Sequence, residues 1–143
     1  MRIQVELTRV VICEFNPHQA IFLKEKDGER KPRREMTITI APYEAALLDR
    51  RVRGIPSPRP LTHDLFLQAI QALGAEAVEV RIVREEKGVY YAQLILRRGE
   101  EQITLDARPS DALILAFAHQ EQLPIFVDEE LLTDPPANRE PNQ

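Results

Sequence analysis

The sequence predicts an α+β domain of two layers, with helices packed on a mainly antiparallel sheet, and three observations lead there. Short stretches of alternating apolar residues recur along the chain, as in Ile3, Val5 and Leu7, which is the pattern of a half-buried strand. Between them lie one stretch with apolar residues three and four apart, Leu65 to Leu73, and one that is apolar almost all round, residues 110 to 121. Finally, a strand-then-helix pattern occurs twice. Ile38-Thr39-Ile40 leads into Pro42-Tyr43-Glu44-Ala45 and Leu48, and Ile103-Thr104-Leu105 leads into Pro109-Ser110-Asp111-Ala112 and Leu115. Each copy follows two more predicted strands, so the spacing predicts a duplicated β-β-β-α unit with a further helix between the copies.

Element by element, Ile3 to Val11, Ala20 to Lys24 and Met36 to Ile40 read as three strands, the last two flanking the charged turn Lys26 to Arg34. Pro42 suits a first helical turn, with Ala45, Leu48 and Val52 on one face, and Gly54 and Pro56 end that helix. After a proline-rich link, Thr62 is placed to cap a helix that carries Leu65, Phe66, Ala69, Ile70 and Leu73, and Gly74 closes it. Val78 to Ile82, Ala92 to Leu96 and Ile103 to Leu105 are three more strands, joined by turns at Glu85 to Gly88 and Arg98 to Glu100. Residues 110 to 121 read as a helix buried on several sides, 124 to 127 as a last strand, and Asp128 to Leu132 as a helical turn.

The 143 residues suit one domain, spanning 1 to 133, followed by a polar, proline-containing tail, 134 to 143, expected to be disordered. There are 19 Lys and Arg against 23 Asp and Glu, and the acidic excess sits at the end of the chain, where Asp128, Glu129, Glu130, Asp134 and Glu140 face Arg139 alone. The body is therefore neutral. That argues against a binder relying on a diffuse positive field, while leaving room for local basic stripes. Arg30, Lys31, Arg33 and Arg34 form one such cluster and Arg50, Arg51 and Arg53 another, both read first as solvated faces. Tyr90 and Tyr91 on a predicted strand read first as packing residues.

The one cysteine, Cys13, excludes an internal disulfide, reads as a small buried hydrophobe, and points to a reducing compartment, hence a cytoplasmic protein. No apolar stretch reaches the ~18 to 20 residues of a membrane helix, and the N-terminus lacks a signal-peptide core. Glycine-rich phosphate loops, G-x-S-x-G, H-E-x-x-H and paired C-x-x-C are absent, so no organic cofactor is expected.

Two segments place charged groups where a helix begins: Pro58-Arg59-Pro60-Leu61-Thr62-His63-Asp64-Leu65 and Asp106-Ala107-Arg108-Pro109-Ser110-Asp111-Ala112. Both run Arg-Pro, a hydroxyl residue, then Asp before an apolar helix. Part of this is architecture: Thr62 and Ser110 are good N-caps, Asp64 and Asp111 complement the helix dipole, and Arg59 and Arg108 are placed to pair with them. No cap requires His63 or Asp106. A functional reading brings Asp64, Asp106 and Asp111, with His63, together around Mg²⁺ or Mn²⁺, with Arg59 and Arg108 on a phosphate, the parts needed to activate water against a phosphodiester.

These two segments resemble the signature motifs of the bifunctional nuclease domain family, and their order, the hairpin between them and the closing Pro124-Ile125-Phe126-Val127 match as well, so the resemblance covers roughly residues 3 to 132. It implies a compact α+β domain, often a homodimer, whose plant members are described as degrading both DNA and RNA. Carried over by motif position, the site comprises His63, Asp64, Asp106 and Asp111 as catalytic residues, with Arg59, Thr62, Arg108 and Ser110 on the substrate. One departure stands out. The family's usual stretch before the first helix is Leu-Pro-Ile, glycine and then Glu-Ala, and between Met36 and Ala46 only Glu44-Ala45 matches it clearly. The competing expectation is a non-catalytic ligand-binding or protein-interaction module in which both Arg-Pro motifs serve the architecture.

Overall fold

The computed structural model describes residues 1–13, 15, 17–26 and 32–136. Positions 137–143 of the expected tail, and Arg30 and Lys31 of the first basic cluster, lie outside them. The chain begins with an antiparallel meander of β1 (Arg2–Val11), β2 (Gln19–Glu25) and β3 (Glu35–Ile40), followed by α1 (Pro42–Val52) and α2 (Thr62–Ala72). A second meander, β4 (Glu76–Glu86), β5 (Val89–Arg98) and β6 (Glu101–Ala107), leads into α3 (Pro109–Ala118), β7 (Ile125–Asp128) and a 3-10 turn at Glu129–Leu131. The seven strands form one sheet in the order β3-β2-β1-β7-β4-β5-β6, and every pairing is antiparallel except β4 with β7. The two meanders thus flank β7. Layout alone does not make them copies, since β7 runs antiparallel to β1 but parallel to β4 and α2 has no counterpart in the second half.

Strand alternation explains which face is covered. Ile21 and Leu23, Ile38, Val80 and Ile82, Leu94, Ile125 and Val127 are all buried in one cluster with Ala45 and Leu48 of α1 and Ala112 to Ala116 of α3. Each such leucine or isoleucine contributes about 1.5–3 kcal/mol by leaving water. Helix α3 lies between α1 and α2 over β4 and β5, which is why it is buried on several sides and why its sequence carries no polar stripe. It ends at Ala118, three residues before the expected end. Among the described residues no helix is long and apolar enough to cross a membrane.

Both connections after α1 and α2 close by the same device. Gly54 and Gly74 take positive φ, +68° and +82°. The amide of the residue after each, Ile55 or Ala75, reaches back to the carbonyl of Arg50 or Ile70, while the glycine amides reach Arg51 and Gln71. Near the other end of the sheet, Arg34 donates to Glu25 and Glu129 at 2.8 and 2.9 Å, and Glu35 and Thr133 exchange backbone bonds, so the C-terminal segment covers the edge of β3.

Cys13 is exposed, contrary to the expectation of a buried hydrophobe. The physical reason lies in Gln19, 2% exposed, whose Oε1 accepts from the Cys13 amide and whose Nε2 donates to its carbonyl. The backbone of Cys13 is held and its side chain is left outside, two residues beyond the end of β1. The described arginines of the two basic clusters have partners within the chain, among them Arg33 with Glu6, Arg53 with Asp49, and Arg50 hydrogen-bonded to Ser57. Tyr90 packs against the core and Arg84 lies over the Tyr91 ring at 4.2 Å, as the packing reading required.

Candidate active site

The starts of α2 and α3 differ from the expected caps in an informative way. Leu61, not Thr62, holds the N-cap of α2, and Arg108, not Ser110, holds that of α3; neither makes a side-chain cap. Thr62 is the first helical residue of α2 and is exposed, whereas in α3 Pro109 takes the first position, where its missing N–H costs nothing. That moves Ser110 one place into the helix, where it is 7% exposed and lines a shallow depression with Tyr90 and Val89. In both helices the acid is third, and it serves the helix start from there.

Asp64 does so by accepting from the Leu61 amide at 2.8 Å through Oδ2. The same oxygen accepts from Nη2 of Arg51 on α1 at 2.5 Å, so the expected Arg59–Asp64 pair is replaced by one that ties α2 to α1. Burial by itself would raise the Asp64 pKa, but the Arg51 and Leu61 hydrogen bonds outweigh it and hold the carboxyl below its ordinary range. Arg59 is exposed and makes no ion pair among the described residues.

Asp111 is built differently. Its Oδ2 accepts from Nε of Arg108 at 2.8 Å, the expected pair three residues apart. Its Oδ1 lies 3.0 Å from Nε2 of His63, 48 positions away in the chain. The two Arg-Pro motifs therefore meet, through His63 and Asp111. Burial would raise the Asp111 pKa too, yet the Arg108 and His63 hydrogen bonds hold it below the usual carboxylate value, while Asp111 and then Glu44 hold Arg108 above its own. An ionised carboxylate only accepts, so the proton between the pair sits on Nε2 and leaves Nδ1 of His63 with a free lone pair when the ring is neutral. Glu44, in the first turn of α1, reaches Nη1 of Arg108 at 3.5 Å. Nη2 has no partner among the described residues, and the Arg108 side chain is 64% exposed.

This cluster stands at the mouth of a groove of about 650 Å³. Its floor is apolar, made by Leu94, Leu105 and Leu115, and its rim includes Tyr43, Leu61, Thr62 and Phe66, with Tyr43 73% exposed. A concave apolar slot with a few polar groups converging at one end is the usual form of a ligand site. Asp106, next to last in edge strand β6, borders the groove, but alternation with the core-facing Leu105 and Ala107 sends its Cβ to the opposite sheet face, and it makes no side-chain hydrogen bond among the described residues. Asp64 lines a separate depression with Gln71, Glu76 and His119.

Of the eight residues that the motifs supply, the structure thus brings His63, Arg108 and Asp111 into contact, sets Thr62 and Asp106 on the groove edge, and directs Asp64, Arg59 and Ser110 elsewhere. Among the described residues no group of three or more His, Cys, Asp or Glu side chains is arranged to hold a metal ion, so Asp64, Asp106 and Asp111 are not gathered in one place as the metal reading expected. Glu44, Tyr43, Phe66 and Arg51 are the residues sequence reasoning did not assign to the site. Glu44 had a signal: the repeated Pro-x-acid-Ala pattern gives it the same helical position as Asp111, and both acids hold Arg108.

Comparison with known proteins identifies the family of the chain. The bifunctional nuclease domain family matches residues 21–139. The uncharacterized protein Rv1829 of Mycobacterium tuberculosis (strain ATCC 25618 / H37Rv) is 40% identical over 129 residues, 90% of this chain and 73% of the relative. Bifunctional nuclease 1 of Oryza sativa subsp. japonica is 33% identical over 104 residues, and Bifunctional nuclease 2 of the same plant 32% over 108. Those matches cover 71% and 73% of this chain but only 30% and 32% of the rice proteins. The chain belongs to the bifunctional nuclease domain family.

Proposed function

We propose that this protein is a nuclease that hydrolyses phosphodiester bonds of DNA and RNA at the His63–Asp111–Arg108 cluster. The observation that carries the reading is the 3.0 Å contact by which two distant motifs assemble one polar site at the end of an open groove. In this reading Asp111 holds the His63 ring by Nε2 and Nδ1 accepts the proton of the attacking water, as a carboxylate-oriented imidazole does in general-base catalysis. The free edge of Arg108 binds the phosphodiester and offsets the negative charge that grows on it as the ester oxygen departs with a proton from solvent. Mg²⁺ or Mn²⁺ belongs to this reading as the metal that would offset charge on the phosphate, and such ions commonly complete their shell with substrate phosphates beside one or two carboxylates. The names of the rice relatives support the reading, although the chain spans about a third of their length. A cytoplasmic location belongs to the same proposal and rests on a lone cysteine that has no disulfide partner in the chain.

The second reading, a non-catalytic binding module, is favoured by the locked Arg51–Asp64 pair, which makes one of the two motifs architectural. Cleavage assays separate the two. Highly purified protein is given single- and double-stranded DNA and RNA in Mg²⁺, Mn²⁺ or EDTA, beside His63→Ala and Asp111→Asn. Cleavage reduced about 100-fold or more in both variants is expected for loss of a general base. Cleavage untouched in both would be a contaminant's, and the binding module would then stand.

A further inference from the structure

The groove says more about its substrate than the polar cluster alone does. Leu94 and Leu115 on its floor are 1% and 5% exposed, so the slot reaches down to core side chains, and the floor side chains Leu94, Leu105 and Leu115 carry no polar group with which to read a base edge. Tyr43 and Phe66, the aromatic residues of the rim, are 73% and 42% exposed, and no guanidinium lies over either ring among the described residues. Burying an aromatic face between such residues is favourable for any base, because every base has a π face. The mouth tells the complementary story. Glu44 and Asp111 both hold Arg108, so the mouth is poorly suited to follow a run of phosphates; it has one open guanidinium edge, with exposed Arg59 two residues before the rim residue Leu61.

We infer that the site takes one unpaired nucleotide of a single strand, its base inserted in the apolar slot against Tyr43 and Phe66 and its phosphate on Nη2 of Arg108. This rests on the nuclease reading and narrows its substrate. A duplex keeps its bases paired and stacked, and presenting one to the slot costs a few kcal/mol of extrusion. Apolar floor side chains do not single out one base edge, so the preference is for strandedness and not for sequence. Affinity would come mainly from the base and only weakly from charge. One or two phosphate contacts give a slope of log K against log salt of about −0.7 to −1.4, whereas a groove tracking six phosphates of a single strand gives about −4.

The test is binding by fluorescence anisotropy, with a 20-nucleotide oligo(dT), the same length carrying abasic sites throughout, and a blunt 20-base-pair duplex, each checked for intactness on a gel afterwards. Expected are tightest binding to oligo(dT), a shallow salt slope, and losses of about 5- to 150-fold with Tyr43→Ala and with Phe66→Ala, the range for losing one base–aromatic stack. Both residues are exposed, so their variants keep the fold, which circular dichroism verifies. Equal binding of the abasic strand or of the duplex, or a slope steeper than about −3, overturns the inference. The two readings fail separately. Oligo(dT) binding with this pattern but no cleavage removes the nuclease reading and keeps the slot, while cleavage of duplex and single strand at equal rates keeps the nuclease and removes the slot.

Discussion

Asp64 and Asp111 hold the same third position of their helices in two motifs that read alike, and they do different work. Glu44 shares that position in α1. Side-chain type and helix position were legible in the sequence; the partners were not, because they come from other elements. Arg59 follows a proline in the link and points to solvent, while Arg51, on the last turn of α1, is the guanidinium that reaches Asp64. The pairing has a pH signature. Both carboxyls have pKa values below their unfolded value of about 3.9, so they stabilise the fold fully above that value, and the stabilisation drains away as pH falls through the lower folded pKa values. Asp64→Asn is expected to cost about 1.5–3 kcal/mol at pH 7, the range for a hydrogen bond to a charged group, and to flatten the loss of stability below pH ~4. Thermal unfolding of both proteins across acid pH checks this, and parallel curves would show that Asp64 contributes nothing through its charge.

At the scale of elements, α2 and α3 show what apolar spacing does and does not reveal. Both were recognisable as helices. Spacing alone could not say how much of each is covered, since that depends on what packs against it. Five consecutive residues of α3, Ala112 to Ala116, are buried between two helices and the sheet, whereas α2 has no buried residue and leaves Leu65 61% exposed and Leu73, at its C-cap, 77%. Two leucines with equal standing in the sequence should then differ in the folded protein. Leu113→Ala is expected to cost about 2–5 kcal/mol by leaving a cavity in the core. Leu65→Ala should stay within about 0.5 kcal/mol. Urea unfolding midpoints measure both, and comparable losses would mean that α2 is covered by something other than this chain.

For the whole molecule, the class and the sequence of elements were readable from local patterns, and the sheet order was not. β7, four residues long and last in sequence, is inserted between β1 and β4, a placement set by long-range pairing that no local period encodes. That insertion sets the two meanders on either side of it. The helices that follow each one, α1 and α3, then pack together, with Glu44 and Asp111 on either side of Arg108 and His63 of α2 closing the cluster. The site thus exists only in the assembled fold, which is why the sequence could name His63 and Asp111 but could not show that they touch.

The central claim is that these two residues act as one unit, and a double-mutant cycle on single-strand cleavage tests it most directly. His63→Ala, Asp111→Asn and the double variant are assayed under identical conditions, with fold verified for each. If the imidazole works through the carboxylate, each single variant loses about 100-fold or more and the double falls no more than about threefold below the worse single. Losses that multiply in the double variant would show two independent contributions and contradict the account.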